Sequence, residues 1–397
     1  MKKICFMGSS AYGTGGVETM LTLVSNELSK YYEVMIISYN SEQNSKYEYN
    51  SRIKIKVFSG KRYSIVNKVE ALVTKGLGKI LRMFKLENSN SLLIQLINKE
   101  VAYPITERKR MIEEIKAFNP DLTIGVGRGA LFLGLISEKI GGKKIGWQHS
   151  SYDCFMNLGD NIVWSNLNRF VIKQLNKLDC HLVLTEKDKI KYKNNGLQCE
   201  VMPNFLKKTS VQSSSLSNKV MVAIGRLAPE KQFDQLVEIW SKFHIEFPDW
   251  KLKIYGDGPE EENIRKMINK FELKNSVEMC GFEPNIEDVL TNASMMLMTS
   301  KFEGFPLVIL EAFSVGVPVI SYDIDGASSL IEDEREGYLI PLWDKNTFVD
   351  KMKILVQNNE LINCMNKNCI DKAKQFSEEV ILNRWKILAK SILEDKK

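Results

Sequence analysis

Two acids eight residues apart open the chemistry of this chain. Residues 301–313 read K-F-E-G-F-P-L-V-I-L-E-A-F. Glu303 stands beside Gly304 in what reads as a loop, and Glu311 falls inside a run that is apolar almost all round. A helix of that composition is ordinarily buried, and a carboxylate in such a place is costly unless something pairs with it. The vicinal hydroxyls of a sugar would satisfy it, and so would a Lys or Arg from another element. Pro306 suits the first helical position, which leaves the N–H groups of Leu307 and Val308 to face an anion.

A second group is cationic. In A-I-G-R-L-A-P-E-K-Q-F (223–233), Arg226 follows an apolar run and Lys231 opens the next helical pattern. An Arg fork and a Lys point charge at one strand end can hold a diphosphate. A surface salt bridge to Glu230 would account for them more simply. Gly13, Gly15 and Gly16, in S-S-A-Y-G-T-G-G, lie between a strand and a helix, where backbone can approach a ligand closely. A plain tight turn explains the same residues, and Glu18 takes the place of the third glycine of a dinucleotide pattern. In I-Y-G-D-G-P-E-E (254–261), Gly256 and Gly258 flank Asp257 and Pro259 suits a first helical turn. Such a turn could admit a flat base or be an ordinary junction. His149, in I-G-W-Q-H-S-S-Y-D, ends another strand pattern, with a structural role as the alternative. The Asp323-x-Asp325 pair reads as a turn rather than a cation site.

These residues need elements to hold them. K-K-I-C-F-M, Y-E-V-M-I-I-S, D-L-T-I-G-V, K-K-I-G-W and H-L-V-L-T read as strands between helical patterns in the first half. K-V-M-V-A-I-G-R, W-K-L-K-I-Y-G, S-V-E-M-C-G, M-M-L-M-T-S and V-P-V-I-S-Y do so in the second. That alternation predicts parallel βαβ units. At 397 residues the chain is too long for one ordinary core. The polar, serine-rich stretch 207–219 reads as a linker. We therefore expect an α/β fold of two doubly wound domains, 1–205 and 206–375, facing across a cleft with the ligand at the strand carboxyl ends. An amphipathic helix, 376–397, should pack back on the first.

Composition narrows the function. The longest apolar runs, near 129–136 and 306–310, are far short of a membrane span, and the N-terminus reads as a first strand rather than a leader. Seven cysteines without a C-x-x-C pair suggest reduced thiols in the cytoplasm. Three histidines make a histidine-based zinc site a poor fit. The net charge is +6, and residues 61–85 alone carry seven Lys and Arg against Glu70. Lys68, Lys75, Lys79 and Arg82 recur there at helical spacings, a pattern suited to an anionic membrane surface or to a solvated helix face.

Taken together, G-G-V-E (15–18), W-Q-H (147–149), G-R-L-A-P-E-K-Q (225–232), Y-G-D-G-P (255–259) and E-G-F-P-L-V-I-L-E-A (303–312) make the chain resemble the retaining, nucleotide-sugar-dependent glycosyltransferases of family 4, of the GT-B fold. The resemblance implies a donor site of Gly16, Arg226, Lys231, Gly256, Gly258, Glu303, Gly304, Phe305, Leu307, Val308 and Glu311. Arg226 and Lys231 would hold the diphosphate, Glu311 the ribose and Glu303 the transferred sugar, with His149 beside the reacting centre. It also implies a metal-independent reaction without cofactor and a UDP-sugar donor. The acceptor would be a polyprenyl-diphosphate-linked glycan, made for surface polysaccharide by an enzyme peripheral to the inner face of the cell membrane. A sugar-nucleotide epimerase of the same architecture is one rival and a non-enzymatic glycan-binding module another. Nucleic acid fits less well, because the basic segment lacks interleaved aromatics.

Overall fold

The structure, a computed structural model, describes residues 1–8, 10–13, 15–38, 48–57, 76, 80, 83, 99–100, 103–156, 168–207, 213–214 and 216–394. Lys68, Lys75, Lys79 and Arg82 lie outside the described residues. The chain divides into two compact units, Met1–Pro203 with Leu382–Lys397, and Asn204–Ile381.

The first unit is built on a parallel sheet of order β3-β2-β1-β4-β5-β6-β7. Its strands are β1 (Lys3–Gly8), β2 (Glu33–Ser38), β3 (Lys54–Val57), β4 (Leu122–Val126), β5 (Lys143–Trp147), β6 (Cys180–Val183) and β7 (Glu200–Val201). The inner strands are apolar along most of their length, as strands covered on both faces must be. Ile4, Cys5, Phe6, Ile36, Ile37, Leu122 and Ile124 are wholly buried. The order reverses between β1 and β4, so the first glycine-rich loop leads from a switch strand into helix α1 (Gly16–Leu28). The last helix of the chain runs from Glu378 to Glu394. Its Trp385 packs edge-on against Trp147 with ring centroids 4.6 Å apart.

The second unit repeats the plan with the order β10-β9-β8-β11-β12-β13, again all parallel. Its strands are β8 (Val220–Ile224), β9 (Lys251–Tyr255), β10 (Val277–Gly281), β11 (Met295–Met298), β12 (Val319–Tyr322) and β13 (Gly337–Ile340). Here the reversal lies between β8 and β11, neighbours in the sheet but some seventy residues apart in the chain. The loops after these two strands carry Arg226 with Lys231, and Glu303.

One buried group in the first unit ties its stability to pH. His181, on β6, is 2% exposed, and neither ring nitrogen has a hydrogen-bond partner among the described residues. It fits because its neighbour across the sheet is Gly146, where a Cβ would lie 2.4 Å from Nδ1. Burial lowers the His181 pKa to about 4. The unfolded chain takes up this proton near pH 6.5, so stability is full above 6.5 and is lost as pH falls from there through about 4. The slope should approach about 1.4 kcal/mol per pH unit from this group. Urea midpoints of the wild type should fall from pH 7.5 to pH 5 more steeply than those of His181→Phe; parallel declines would exclude His181 as the source.

Candidate active site

In the second unit the chain leaves β8 through Gly225 and Arg226, then tightens into a 3-10 turn, Pro229–Lys231. Helix α2 (Phe233–Glu246) begins only after Gln232, which takes a left-handed conformation with φ 52°. Lys231 therefore closes a 3-10 turn instead of opening the helix. This turns its side chain to the loop that follows β11, where Nζ forms an ion pair with Glu303 Oε1. Both side chains are largely shielded, at 20% and 17% exposure. The partner of Lys231 is thus Glu303, not the adjacent Glu230 that sequence proximity offered.

Two residues invisible to motif reading hold this pair. The buried Thr299 hydroxyl lies 3.1 Å from the Lys231 carbonyl and 3.0 Å from that of Gln232. The buried Ser300 hydroxyl donates to Glu303 Oε1 at 3.1 Å. The amide of Lys301 donates to the Glu230 carbonyl at 2.8 Å. Thr299 and Lys301 thereby lace the loop after β11 to the turn after β8, and Ser300 between them holds Glu303 within its own loop. Arg226, by contrast, is exposed, and its guanidinium makes no hydrogen bond or ion pair among the described residues.

Gly256 and Gly258 serve this arrangement through packing. Gly256 has φ 138°, and a Cβ there would lie 1.9 Å from the Gly225 carbonyl oxygen. At Gly258 it would lie 2.4 Å from that of Leu227. The Gly225 amide donates to the Tyr255 carbonyl and the Leu227 amide to that of Asp257, at 3.0 and 2.7 Å. The space beside both glycines is filled by the chain itself, so their evident task is to seat the β9 loop against the Arg226 loop. Pro259 precedes helix α3 (Glu261–Lys270), whose N-cap is Glu260, and so lies just outside the helix.

Helix α4 (Leu307–Ser314) starts one residue later than expected, with Pro306 as its N-cap. Ile309, Leu310, Ala312 and Phe313 are buried, whereas Leu307, Val308 and Glu311 are half-buried. The helix is therefore one-sided despite its composition. Glu311 follows Leu307 by four residues and Val308 by three, so the acid shares a stripe with the first two amides, which have no acceptor within the helix. Phe305 is buried and packs against Phe376 at 5.8 Å, and Gly304 is half-buried beside it. At Gly326 a Cβ would lie 2.7 Å from the Glu303 carbonyl oxygen, so this glycine backs the acid.

In the first unit, Gly16 is the first residue of α1, after Gly15 as N-cap. The Glu18 carboxylate folds over this loop, 2.6 Å from where a Gly15 Cβ would stand. His149 lies two residues beyond β5, its ring 4.3 Å from that of Trp147. The residue as a whole keeps some surface, but both ring nitrogens are shut off and have no hydrogen-bond partner among the described residues. Burial lowers its pKa to about 3, so the imidazole is neutral at pH 7.

Residues 207–376 match the family described as Glycosyl transferases group 1. An uncharacterized glycosyltransferase of Haemophilus influenzae is 27% identical, with 97% of this chain and 99% of that protein covered. The poly(ribitol-phosphate) alpha-N-acetylglucosaminyltransferase of Staphylococcus aureus is 30% identical over 58% of this chain, which spans about half, 47%, of that relative. Among solved structures, a mutant of S. aureus TarM in complex with Fondaparinux, alpha-GlcNAc-glycerol and UDP covers both chains fully, with TM-score 0.74 and 17% identity. The chain is a transferase enzyme, a glycosyltransferase, with the GT-B fold of two Rossmann-like α/β domains.

The lacing after β11 can be tested alone. Thr299→Val should lower unfolding stability by about 1–2 kcal/mol by taking the hydroxyl donor from the Lys231 carbonyl, while the Gln232 carbonyl keeps the Gln235 and Leu236 amides; Thr299→Ser should restore most of it. Equal denaturant midpoints for the Val variant and the wild type would contradict this role.

Proposed function

We propose that the protein is a retaining, family 4 type glycosyltransferase that moves a hexose or N-acetylhexosamine from a UDP-sugar to a glycan acceptor. One observation carries the reading: Lys231 and Glu303, from the loops after the two switch strands, are held together as a shielded pair with Arg226 on the same loop. A diphosphate would take Lys231 and Arg226, and hydroxyls of the attached sugar would take Glu303. The Leu307 and Val308 amides would add donors to the phosphates and Glu311 would receive the ribose hydroxyls. UDP in the TarM complex supports the choice of nucleotide. An N-acetylglucosaminyltransferase among the relatives supports the sugar class.

In the reaction the bond from the sugar's anomeric carbon to the diphosphate oxygen breaks and the acceptor oxygen bonds to the same face of that carbon. The departing diphosphate gathers negative charge, which fixed cations and helix amides stabilise without reorganising. The acceptor's proton passes to a departing phosphate oxygen. In this reading no metal is required. His149 would bring a neutral imidazole to a sugar hydroxyl once its ring turns out of the orientation in which both nitrogens are shut off.

We further assign the acceptor to the polyprenyl-diphosphate-linked glycans from which surface polysaccharide is made, with the enzyme peripheral to the inner face of the cell membrane. The basic composition of 61–85 supports that assignment. The protein should float with anionic liposomes at low salt, and failure to do so would remove it.

Arg226→Ala and Lys231→Ala should each lower turnover about 10²–10³-fold with a panel of UDP-sugars, in the range seen for lost transition-state charge stabilisation. Product anomers read by proton NMR should keep the donor's configuration. Near-normal turnover in both variants would defeat the leaving-group role, and inverted products would defeat retention.

A further inference from the structure

The second sheet is unevenly covered, and the gap forms a groove. From β10 the chain must pass over β9 and β8 to reach β11, and it does so with helix α5 (Ile286–Thr291), only six residues long. Six residues of helix span about 9 Å, whereas the five-residue strands beneath run about 16 Å. Strand β9 carries the mark of the uncovered face. In β9, Leu252 and Ile254 are buried while Lys251, Lys253 and Tyr255 alternate outward. An open groove of about 440 Å³ follows, along the face of β8 and β9 beside α5.

Its lining is specific in kind. Half-buried Val220 of β8 makes an apolar floor, with the buried Val222 of β8 and Val289 of α5 behind it and Tyr255 on the same wall. Asn218, Asn285 and Asn292 bring side-chain amides to it. They are partly held in place, since the Asn218 amide donates to the Asn292 carbonyl at 3.0 Å and the Asn292 amide to that of Asp288 at 2.8 Å. Glu283 and Asp288 add two carboxylates against the single ammonium of Lys253, which also pairs with Glu278 at 3.4 Å.

We propose that this groove binds an uncharged sugar unit of a glycan, away from the transfer site. A pyranose has a C–H face that suits a valine floor and tyrosine ring, and hydroxyls that suit a rim of amides and carboxylates. The excess of acid over base disfavours phosphates and uronates, and the volume lies in the range of small-ligand sites. None of the lining residues belongs to the proposed donor site. The choice of a glycan rests on the glycosyltransferase reading, while the groove and its chemistry do not.

The three valines report directly. Full-length protein with ¹³C-labelled valine methyls would be titrated with maltose, chitobiose, glucuronate and UDP, each alone. The methyl signals of Val220, Val222 and Val289 should move together and approach saturation at millimolar concentration with at least one neutral disaccharide, and stay still with glucuronate. Tyr255→Leu and, as a milder change on the exposed helix, Asp288→Ala should each weaken this response about tenfold or more, with UDP-induced thermal stabilisation intact. Three results would overturn the proposal: no movement with either disaccharide at tens of millimolar, equal movement with glucuronate or UDP, or an undiminished response in both variants. Absent UDP binding with the sugar response intact would count against the donor reading alone.

Discussion

The second unit is organised around one ion pair. Lys231 and Glu303 reach each other because β8 and β11 are adjacent in the sheet where its order reverses, so that their loops share one edge. Either charge alone would be poorly placed with so little solvent around it. Together they neutralise each other, and Thr299, Ser300 and Lys301 fix the two loops so that neither side chain drifts far. A buried pair of this kind adds little net stability. What it secures is position: a cation and an acid kept ready at one strand edge, each able to exchange its partner for a ligand group.

Much of the surrounding architecture reads as support for that edge. Close backbone contacts at Gly256 and Gly258 bring the β9 loop against the loop of Arg226, and Gly326, in the short helix Asp325–Ser328, lets that helix back Glu303. Helix α4 packs against helix α6 (Asn359–Lys374) and has Ile309, Leu310 and Phe313 buried, which anchors it while its half-buried stripe keeps two amides and Glu311 on one side. Apolar burial thus sets the orientation of the polar groups. The same economy leaves the face beside α5 open.

The sequence disclosed the parallel α/β plan because strands covered on both faces are apolar along most of their length, and nine inner strands stand out together with the edge strand β10. It hid β3, β7 and β13 for physical reasons. K-I-K-V in β3 is an edge strand with exposed lysines, β7 is two residues long, and β13 is a short strand entered through Gly337. Motif spacing singled out Lys231 and Glu303 but not their meeting, since contact between residues so far apart depends on strand order. Left-handed Gln232 and the N-cap position of Pro306 shift local boundaries by a residue or two, below what periodicity resolves. Thr299 and Ser300 act through single hydroxyls, which leave no pattern in a chain. The greasy run 306–313 suggested burial all round, yet neighbours cover only one side, a matter of tertiary packing.

The most direct test of the account is a crystal structure of the protein with an unreactive UDP-sugar analogue. The account predicts that Lys231 leaves Glu303 for a phosphate oxygen, that Arg226 joins it, and that Glu303 accepts a hydroxyl of the sugar. An analogue bound elsewhere, with the Lys231–Glu303 pair closed and Arg226 turned to solvent, would contradict it.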